Sequence, residues 1–346
     1  MNSFLKQLVK NIGDESASVA EDGVSSAEFS GYIDTGSLVL NGQISGTIFG
    51  GMPNNKILGL AGEEATGKTF FALGLVRHFM ETHDEAAAAW YMSEPAVTKQ
   101  MLVDREIDPK RVMFAEPQTV EDFRTLGLQT LEAYLGLEEK PPFMMVLDSL
   151  GQLSTNKELA DALAGNDVKD MTRTQLIRGA FRTLSLKLAK AAVPMIVTNH
   201  TYAQMDQYKP REMSGGGGLK YAADALLFLT RSADKDKDTK EVYGDIIHCS
   251  MKKNRFARRD TKVDVRLDYD TGLDRYYGLL PLALASGVFV KKAKGMDYDG
   301  KTVYEKDVVA EPEKFYTDEV LQIIDEQAKK TFKYGQHGEV DATDTE

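Results

Sequence analysis

The sequence predicts an α/β protein with a mostly parallel, twisted sheet flanked by helices, and three observations support this class. Residues 56–200 alternate between short apolar runs and longer segments with helical periodicity. The apolar runs are nearly unbroken, which is typical of parallel strands buried on both faces. After residue 221 apolar and polar residues begin to alternate, most strictly in 263–269. That pattern is typical of half-exposed strands, so we expect antiparallel strands at one edge of the sheet.

A short helix is predicted at the N-terminus. Apolar residues at Phe4, Leu5, Leu8 and Val9 have helical spacing, and residues 14–30 are small and polar, like a linker or an arm. A helix of this length is marginal in isolation. We therefore expect it to dock either on the protein's own core or on a neighbouring subunit.

The remaining elements follow in chain order. The predicted core strands span residues 57–61, 87–92, 112–115, 143–147 and 194–198. The predicted helices between them span residues 70–83, 98–106, 120–137 and 172–192. The predicted edge strands span residues 225–230, 242–251 and 263–269. Residues 276–346 contain small helical and polar segments without a catalytic motif, and we expect a small C-terminal region there.

One motif dominates the core. Gly62-Glu63-Glu64-Ala65-Thr66-Gly67-Lys68-Thr69 matches G-x-x-x-x-G-K-[ST], and it lies between a predicted strand and a predicted helix, as the motif requires. The backbone N–H groups of such a loop surround a phosphate, and the N-terminus of the helix adds positive potential. Lys68 would reach the β- and γ-phosphates, and the Thr69 hydroxyl would hold Mg²⁺. The sequence therefore predicts a nucleoside triphosphate site, with Phe70, the next residue, as a further contact; the alternative is a plain glycine-rich turn.

Three further strand ends carry polar side chains that face the same crevice. Asp148 ends an apolar strand and could support Mg²⁺, or it could simply cap the next element. Glu94 could orient and polarise an attacking water, or it could be a surface or capping residue. His200 could sense the γ-phosphate, or it could be a hydrogen-bonded structural group.

Two long connections leave the predicted strand ends, at residues 151–170 and 201–220. The second contains four consecutive glycines, which favour no single conformation, so we expect this loop to lack fixed structure until something binds. Backbone amides, aromatic rings and basic side chains together suit single-stranded nucleic acid, although both segments could be plain surface loops. The candidate DNA-binding residues are Lys157 and Lys169 in the first connection and Tyr202, Lys209, Arg211, Gly215, Gly216, Gly217 and Gly218 in the second.

Composition limits the possibilities further. The net charge of −11 argues against a general nucleic-acid binder, but basic residues cluster at 252–259. The chain has no apolar run long enough for a membrane span and no signal-peptide pattern at its N-terminus. Its single cysteine, Cys249, cannot form an internal disulfide and lies in an apolar strand pattern. We therefore expect a protein of a reducing cytoplasm.

The chain resembles the RecA recombinases, most closely the UvsX-type recombinases of tailed bacteriophages. The resemblance covers roughly residues 35–290 and preserves the order and spacing of the motifs. The matching segments are the phosphate loop 62–69, Tyr91-Met92-Ser93-Glu94, Val146-Leu147-Asp148-Ser149-Leu150-Gly151, Asp170-Met171-Thr172-Arg173, Asn199-His200-Thr201-Tyr202 and the glycine run 215–218. The fold that this resemblance implies is a RecA-like P-loop ATPase core.

The resemblance implies a DNA-dependent ATPase that uses ATP and Mg²⁺. It would form a helical filament on single-stranded DNA, pair it with homologous duplex DNA and exchange strands in recombination, repair and recombination-dependent replication. Loader and single-strand-binding proteins would be partners. Glu94 would activate the water, Asp148 would support Mg²⁺, and His200 would couple the γ-phosphate to the following loop. Lys253 and Arg255 would reach the ATP of the adjacent subunit, and the acidic tail would restrain duplex binding.

Seven residues after Glu94, many relatives place a tyrosine on the adenine ring, and this chain has Met101. A thioether can still pack against a purine, so Met101 remains a candidate nucleotide contact with less certain base selectivity. The resemblance divides the chain into residues 1–33, a polymerisation helix with its linker, residues 34–275, the ATPase core, and residues 276–346, a small region with the acidic tail. The alternatives are a non-catalytic paralogue or mediator, a ring helicase on the same core, and a small-molecule kinase.

Overall fold

A computed structural model describes residues 3–14, 17–22, 28–166, 170–202, 212–235, 239–269 and 271–335. The strands are β1 Tyr32–Ile33, β2 Met52–Pro53, β3 Ile57–Gly62, β4 Ala87–Met92, β5 Val112–Ala115, β6 Phe143–Asp148, β7 Met195–Tyr202, β8 Glu212–Met213, β9 Ala225–Lys235, β10 Val242–Asn254, β11 Lys262–Asp268, β12 Gly272–Leu273, β13 Val290–Lys291, β14 Met296–Tyr298 and β15 Lys301–Val303. The helices are α1 Ser3–Ile12, α2 Leu38–Ser45, α3 Lys68–Thr82, α4 Lys99–Val103, α5 Val120–Leu135, α6 Asn156–Leu163, α7 Arg173–Lys190, α8 Gly218–Ala222, α9 Leu280–Ala285, α10 Glu305–Ala310, α11 Pro312–Phe315 and α12 Asp318–Phe332.

The large sheet has the strand order β12-β11-β10-β9-β3-β7-β6-β4-β5, and β8 pairs with β7. Along the part of this order that runs from β9 to β5, each strand is parallel to the next. The strands β10, β11 and β12 add to β9 as an antiparallel edge. The predicted α/β class, a parallel sheet with antiparallel edge strands, is confirmed.

The central strands are apolar throughout because they have a hydrophobic cluster on each face. In β4, Trp90 belongs to one cluster and Tyr91 to the other. In β6, Val146 and Leu147 divide in the same way. Successive side chains of a strand point to opposite faces, so a strand with two buried faces needs an apolar residue at every position. The edge strand β10 also contributes to the core: Cys249 is fully buried in it.

Residues 151–170, predicted as a long connection without a helix of its own, contain helix α6. Thr155 is the N-cap: its hydroxyl accepts a hydrogen bond from the Glu158 N–H, while the Glu158 carboxylate accepts one from the Thr155 N–H. Asp170 then accepts a 2.8 Å hydrogen bond from the Thr155 hydroxyl. These reciprocal bonds satisfy the free N–H groups at the helix start and give the segment a fixed structure.

The glycine run is likewise more ordered than predicted. Gly215 and Gly216 adopt positive φ angles of 70° and 68°, and Gly218 begins helix α8. A Cβ on Gly218 would lie 2.4 Å from the Ile177 side chain, so the glycines let this turn pack against α7. The prediction that the whole run lacks structure was therefore wrong. The run is ordered by close packing, which sequence composition does not reveal.

The C-terminal helix α12 is tied to the core. The buried Asp325 carboxylate accepts hydrogen bonds from the Thr47 hydroxyl and the Ile48 N–H, and it forms a 2.9 Å ion pair with Lys329. Phe332, also on α12, is buried in the main cluster. Among the described residues, no helix is long and apolar enough to span a membrane.

Candidate functional site

The phosphate loop connects β3 to α3, and its two glycines are required by different constraints. Gly62 ends β3, and a Cβ there would lie 2.4 Å from the Thr66 hydroxyl and 2.7 Å from the Leu229 carbonyl oxygen. Gly67 is the N-cap of α3 with a φ of 84°, which glycine adopts without strain. The chain therefore turns sharply after β3, and the N-terminus of α3 lies at the end of the sheet. An anion would be favoured there.

Lys68 is buried at the start of α3. Its ammonium donates hydrogen bonds to the carbonyl oxygens of Gly62 and Glu63 at 3.1 Å and 2.7 Å. Burial lowers the pKa of Lys68, and the charges of Asp148 and Glu94 partly offset this. The loop's own carbonyl groups thus hold the ammonium over the concave side of the loop, where a phosphate could take their place.

Asp148 and Thr69 bring oxygen atoms together beside the loop. The Thr69 hydroxyl donates to one carboxylate oxygen of Asp148 at 2.9 Å, and the Thr198 hydroxyl donates to the other at 2.5 Å. Burial raises the pKa of Asp148 despite these hydrogen bonds. Hydroxyl and carboxylate oxygens suit Mg²⁺, which takes one or two protein ligands and completes its shell with water and phosphate. The described residues contain no group of three or more His, Cys, Asp or Glu side chains that could hold a metal ion.

Glu94 is held by two side chains from neighbouring strand ends. Its Oε1 accepts hydrogen bonds from the Ser149 hydroxyl at 2.7 Å and contacts His200 Nε2 at 2.8 Å. Burial raises the pKa of Glu94, but these hydrogen bonds outweigh it, so the pKa is lowered. The Ser149 N–H in turn donates to the Ser93 hydroxyl. Glu94 is therefore an ionised acceptor with a defined orientation.

These groups surround one cavity of about 250 Å³. The predicted site residues that it brings together are Glu64, Ala65, Thr66, Gly67, Lys68, Thr69, Phe70, Glu94, Asp148 and His200. Sequence reasoning missed Ser149, Ser93 and Thr198, although a hydroxyl next to each strand-end carboxylate was a usable signal for the two serines. The arrangement can bind a polyphosphate with a divalent cation and present an ionised carboxylate to a water molecule.

Met101 lies in a second, adjoining cavity of about 570 Å³. Phe70, in the first turn of α3, lines both cavities, so the two are neighbours there. The wall of the second cavity also includes Arg77 and His78 of α3 and residues 267–269 and 271–273. The described structure thus places Met101 next to the phosphate loop but not in it.

Lys253 and Arg255 lie far from their own phosphate loop. Ala225 pairs with Leu58 at the beginning of β3 and with Asn254 in β10. The phosphate loop leaves the other end of β3, about four residues or roughly 15 Å further on. Arg255 forms a 2.9 Å ion pair with Asp224, and Lys253 donates to the carbonyl oxygens of Lys220 and Tyr221.

This distant end of the sheet holds another cavity, of about 670 Å³. Its wall includes three arginines, Arg178, Arg182 and Arg255. Arg178 lies over the ring of Tyr221, with 4.7 Å between the guanidinium carbon and the ring centroid. Tyr221 is 67% exposed. A positively charged and aromatic surface therefore faces outward at the end of the sheet opposite the phosphate loop.

The candidate DNA-binding residues are spread over several elements. Tyr202 is exposed at the end of β7, two residues after His200, and Lys157 lies on α6 in an ion pair with Asp161. The glycines 215–218 form the turn that begins α8. Lys169, Lys209 and Arg211 lie outside the described residues, as does the acidic tail.

Comparison with known proteins gives consistent results. The RecA N-terminal domain family matches residues 1–274. A recombination and repair protein of Enterobacteria phage T4 is 31% identical over 257 residues, which cover 74% of this chain and 64% of the phage protein. The protein RecA of Thermotoga maritima is 25% identical over 301 residues, which cover 86% of this chain and 80% of that protein. The chain therefore matches less than two thirds of the length of the phage T4 protein.

Proposed function

Because the chain belongs to the RecA family, we propose that it is an ATP-dependent recombinase that assembles on single-stranded DNA and exchanges strands with a homologous duplex. The observation that carries this proposal is the convergence of Lys68, Glu94, Asp148 and His200 on one cavity. The names of these relatives, recombination and repair protein and RecA, agree with it. The division of the chain at residues 33 and 275 stays a prediction.

Each group in the cavity would have one task in ATP hydrolysis. Lys68 and the loop N–H groups would bind the β- and γ-phosphates. Thr69 and Asp148 would hold Mg²⁺, which neutralises charge on the phosphates. Glu94, ionised and oriented by Ser149, would orient the attacking water and accept its proton.

His200 would connect the nucleotide to DNA. It contacts Glu94 through Nε2, and two residues later Tyr202 ends β7, where the long connection begins. A γ-phosphate that competes with Glu94 for His200 would change this contact. The change would pass along β7 to the connection that we propose binds DNA, while the segment around α6 would bind it from the end of β6.

Lys253 and Arg255 would complete the site of a neighbouring subunit. Both lie at the opposite end of β3 from their own loop, so a second protomer stacked end to end is the arrangement that brings them to a phosphate. Such a head-to-tail contact repeats without closing and generates a helical filament. Arginine suits this role because its guanidinium forms bidentate bonds with phosphate oxygens.

The test of this proposal is ATP turnover with and without long single-stranded DNA. We expect DNA to stimulate hydrolysis strongly, and Lys68→Ala to abolish it because the γ-phosphate loses its cation. The exposed Lys110 serves as a matched control, since Lys110→Ala removes the same charge outside the cavity. Turnover that is indifferent to DNA would favour a small-molecule kinase.

Electron microscopy with an ATP analogue and single-stranded DNA separates the remaining alternatives. Regular helical filaments are expected. Rings would favour a helicase built on the same core, and filaments without turnover would favour a non-catalytic mediator.

A further inference from the structure

The cavity beside the phosphate loop contains three arginines, and two of them are already neutralised. Arg77 pairs with Glu81 at 2.8 Å and also with Glu106. Arg275 pairs with Asp34 at 2.9 Å. Among the residues that the structure describes, Arg105 has no carboxylate within ion-pair distance, so it is the cation in this cavity that a ligand could engage.

Arg105 is held over an aromatic ring instead. Its guanidinium carbon lies 4.3 Å from the centroid of the Phe70 ring. Burial lowers the pKa of Arg105, with a partial offset from Asp104, but an arginine remains charged in proteins. Contact with Phe70 therefore fixes the position of a half-buried guanidinium at the junction of the two cavities.

We propose that the Arg105–Phe70 pair is the stacking platform for the purine base of the bound nucleotide, and that Arg105 is its specificity-determining residue. The inference rests on the proposed function. Phe70 lines both the phosphate cavity and the adjoining one, so the base of a nucleotide whose phosphates lie on the loop can enter the adjoining cavity beside this ring. The adjoining cavity, at about 570 Å³, lies within the range of small-ligand sites.

The chemistry of the walls favours a purine. Arginine guanidinium groups stack on nucleobases, and a purine offers a larger π face than a pyrimidine. Met101 lines the same cavity and can pack against the base with its thioether. Arg105 thereby supplies a planar contact in a site where residue 101 has no ring.

The test measures nucleotide binding by the full chain without DNA, using calorimetry. The probes are a non-hydrolysable ATP analogue, the corresponding CTP analogue and inorganic tripolyphosphate, each with Mg²⁺. Removing a desolvated cation–π contact should weaken ATP-analogue binding about tenfold in Arg105→Ala. Binding of tripolyphosphate should be unchanged, so the preference for the ATP over the CTP analogue should largely disappear.

A second variant and a control keep the result interpretable. Phe70→Leu removes the ring beneath the guanidinium and should cause the same selective loss. Arg124→Ala removes an exposed arginine from α5 and should change none of the three affinities.

Two outcomes would overturn the proposal. If Arg105→Ala weakens tripolyphosphate and the ATP analogue equally, Arg105 acts on phosphates through its charge. If it changes neither affinity, the base does not reach the pair. Wild-type protein that binds none of the probes would instead refute the proposed function, and with it the inference.

Discussion

Glu94, the general base that we propose, is held by two neighbouring side chains in the protomer. Its lowered pKa keeps the carboxylate ionised, but Ser149 and His200 occupy its Oε1 atom. An ionised carboxylate can accept a proton from water only when an acceptor position faces that water. The hydrogen bond to Ser149 would keep this orientation while the contact with His200 changes.

Replacing Glu94 by glutamine should separate binding from chemistry. The amide keeps the shape of the side chain but cannot accept a proton, so DNA-stimulated hydrolysis should fall by about 10²–10⁴-fold while ATP affinity is retained. The measurement is steady-state turnover together with calorimetric binding. Glu85→Gln, at an exposed position, is the control. Hydrolysis at the wild-type rate would exclude Glu94 as the base.

At the scale of elements, α6 depends on its N-terminal cap. The Thr155 hydroxyl is fully buried and contacts both the Glu158 N–H and the Asp170 carboxylate. The start of α6 and Asp170, shortly before α7, are thus held by the same side chain. Loss of this hydroxyl would release the helix start and leave Asp170 with fewer donors.

Thr155→Val should therefore loosen α6 without unfolding the sheet. Valine has a similar shape, and the lost cap should cost about 1–2 kcal/mol. Hydrogen exchange should accelerate at residues 156–163 and remain slow in β3 and β6. Thr125→Val, at an exposed position of α5, should leave exchange in α6 unchanged. Equal protection of α6 in wild type and Thr155→Val would contradict the role of the cap.

The central strands were predictable because burial on both faces imposes an apolar residue at every position. Helix α2 was not, because all of its residues are buried and it shows no amphipathic period. Helix α6 was missed although Thr155 and Glu158 have the spacing of a capping box, which is typical of a helix N-terminus. The glycine run was misjudged because its packing on Ile177 joins residues about 40 positions apart.

The site likewise has features that the local sequence predicts and contacts that depend on packing. The phosphate loop is contiguous in sequence, and Glu94, Asp148 and His200 lie at or within two residues of the ends of parallel strands, so their convergence could be expected from topology. The Thr198 hydroxyl, on β7, donates a hydrogen bond to Asp148 on the neighbouring strand β6. The Arg105 guanidinium, just after α4, lies over the Phe70 ring in the first turn of α3. No local pattern marks such contacts. They depend on how the elements pack.

At the scale of the whole molecule, the two groups that we propose meet at one ATP lie at opposite ends of β3. The phosphate loop is at one end and Arg255, paired with Asp224, is at the other. If ATP lies between protomers, Arg255 must leave Asp224 on assembly. The ion pair would then keep the arginine in place until a phosphate of the neighbour replaces the carboxylate.

Arg255→Ala should impair hydrolysis in the filament and spare ATP binding by isolated protomers. Mixing it with Lys68→Ala offers a sharper test, since each variant supplies the half-site that the other lacks. In a random head-to-tail mixture of equal parts, about a quarter of the sites would be intact, and turnover should recover accordingly. If no mixture of two inactive variants regains activity, the arginine does not act across the interface. Loss of ATP binding by Arg255→Ala protomers would place it in its own subunit's site.

The buried Cys249 has a practical consequence. It is the chain's only thiol, it is fully enclosed in β10, and burial raises its pKa far above neutrality, so almost no thiolate is available to a reagent. The natural chain is therefore already a background for thiol-directed spectroscopic labels. A cysteine introduced on the surface would carry the label alone, and Cys249 would not have to be replaced to prevent its labelling.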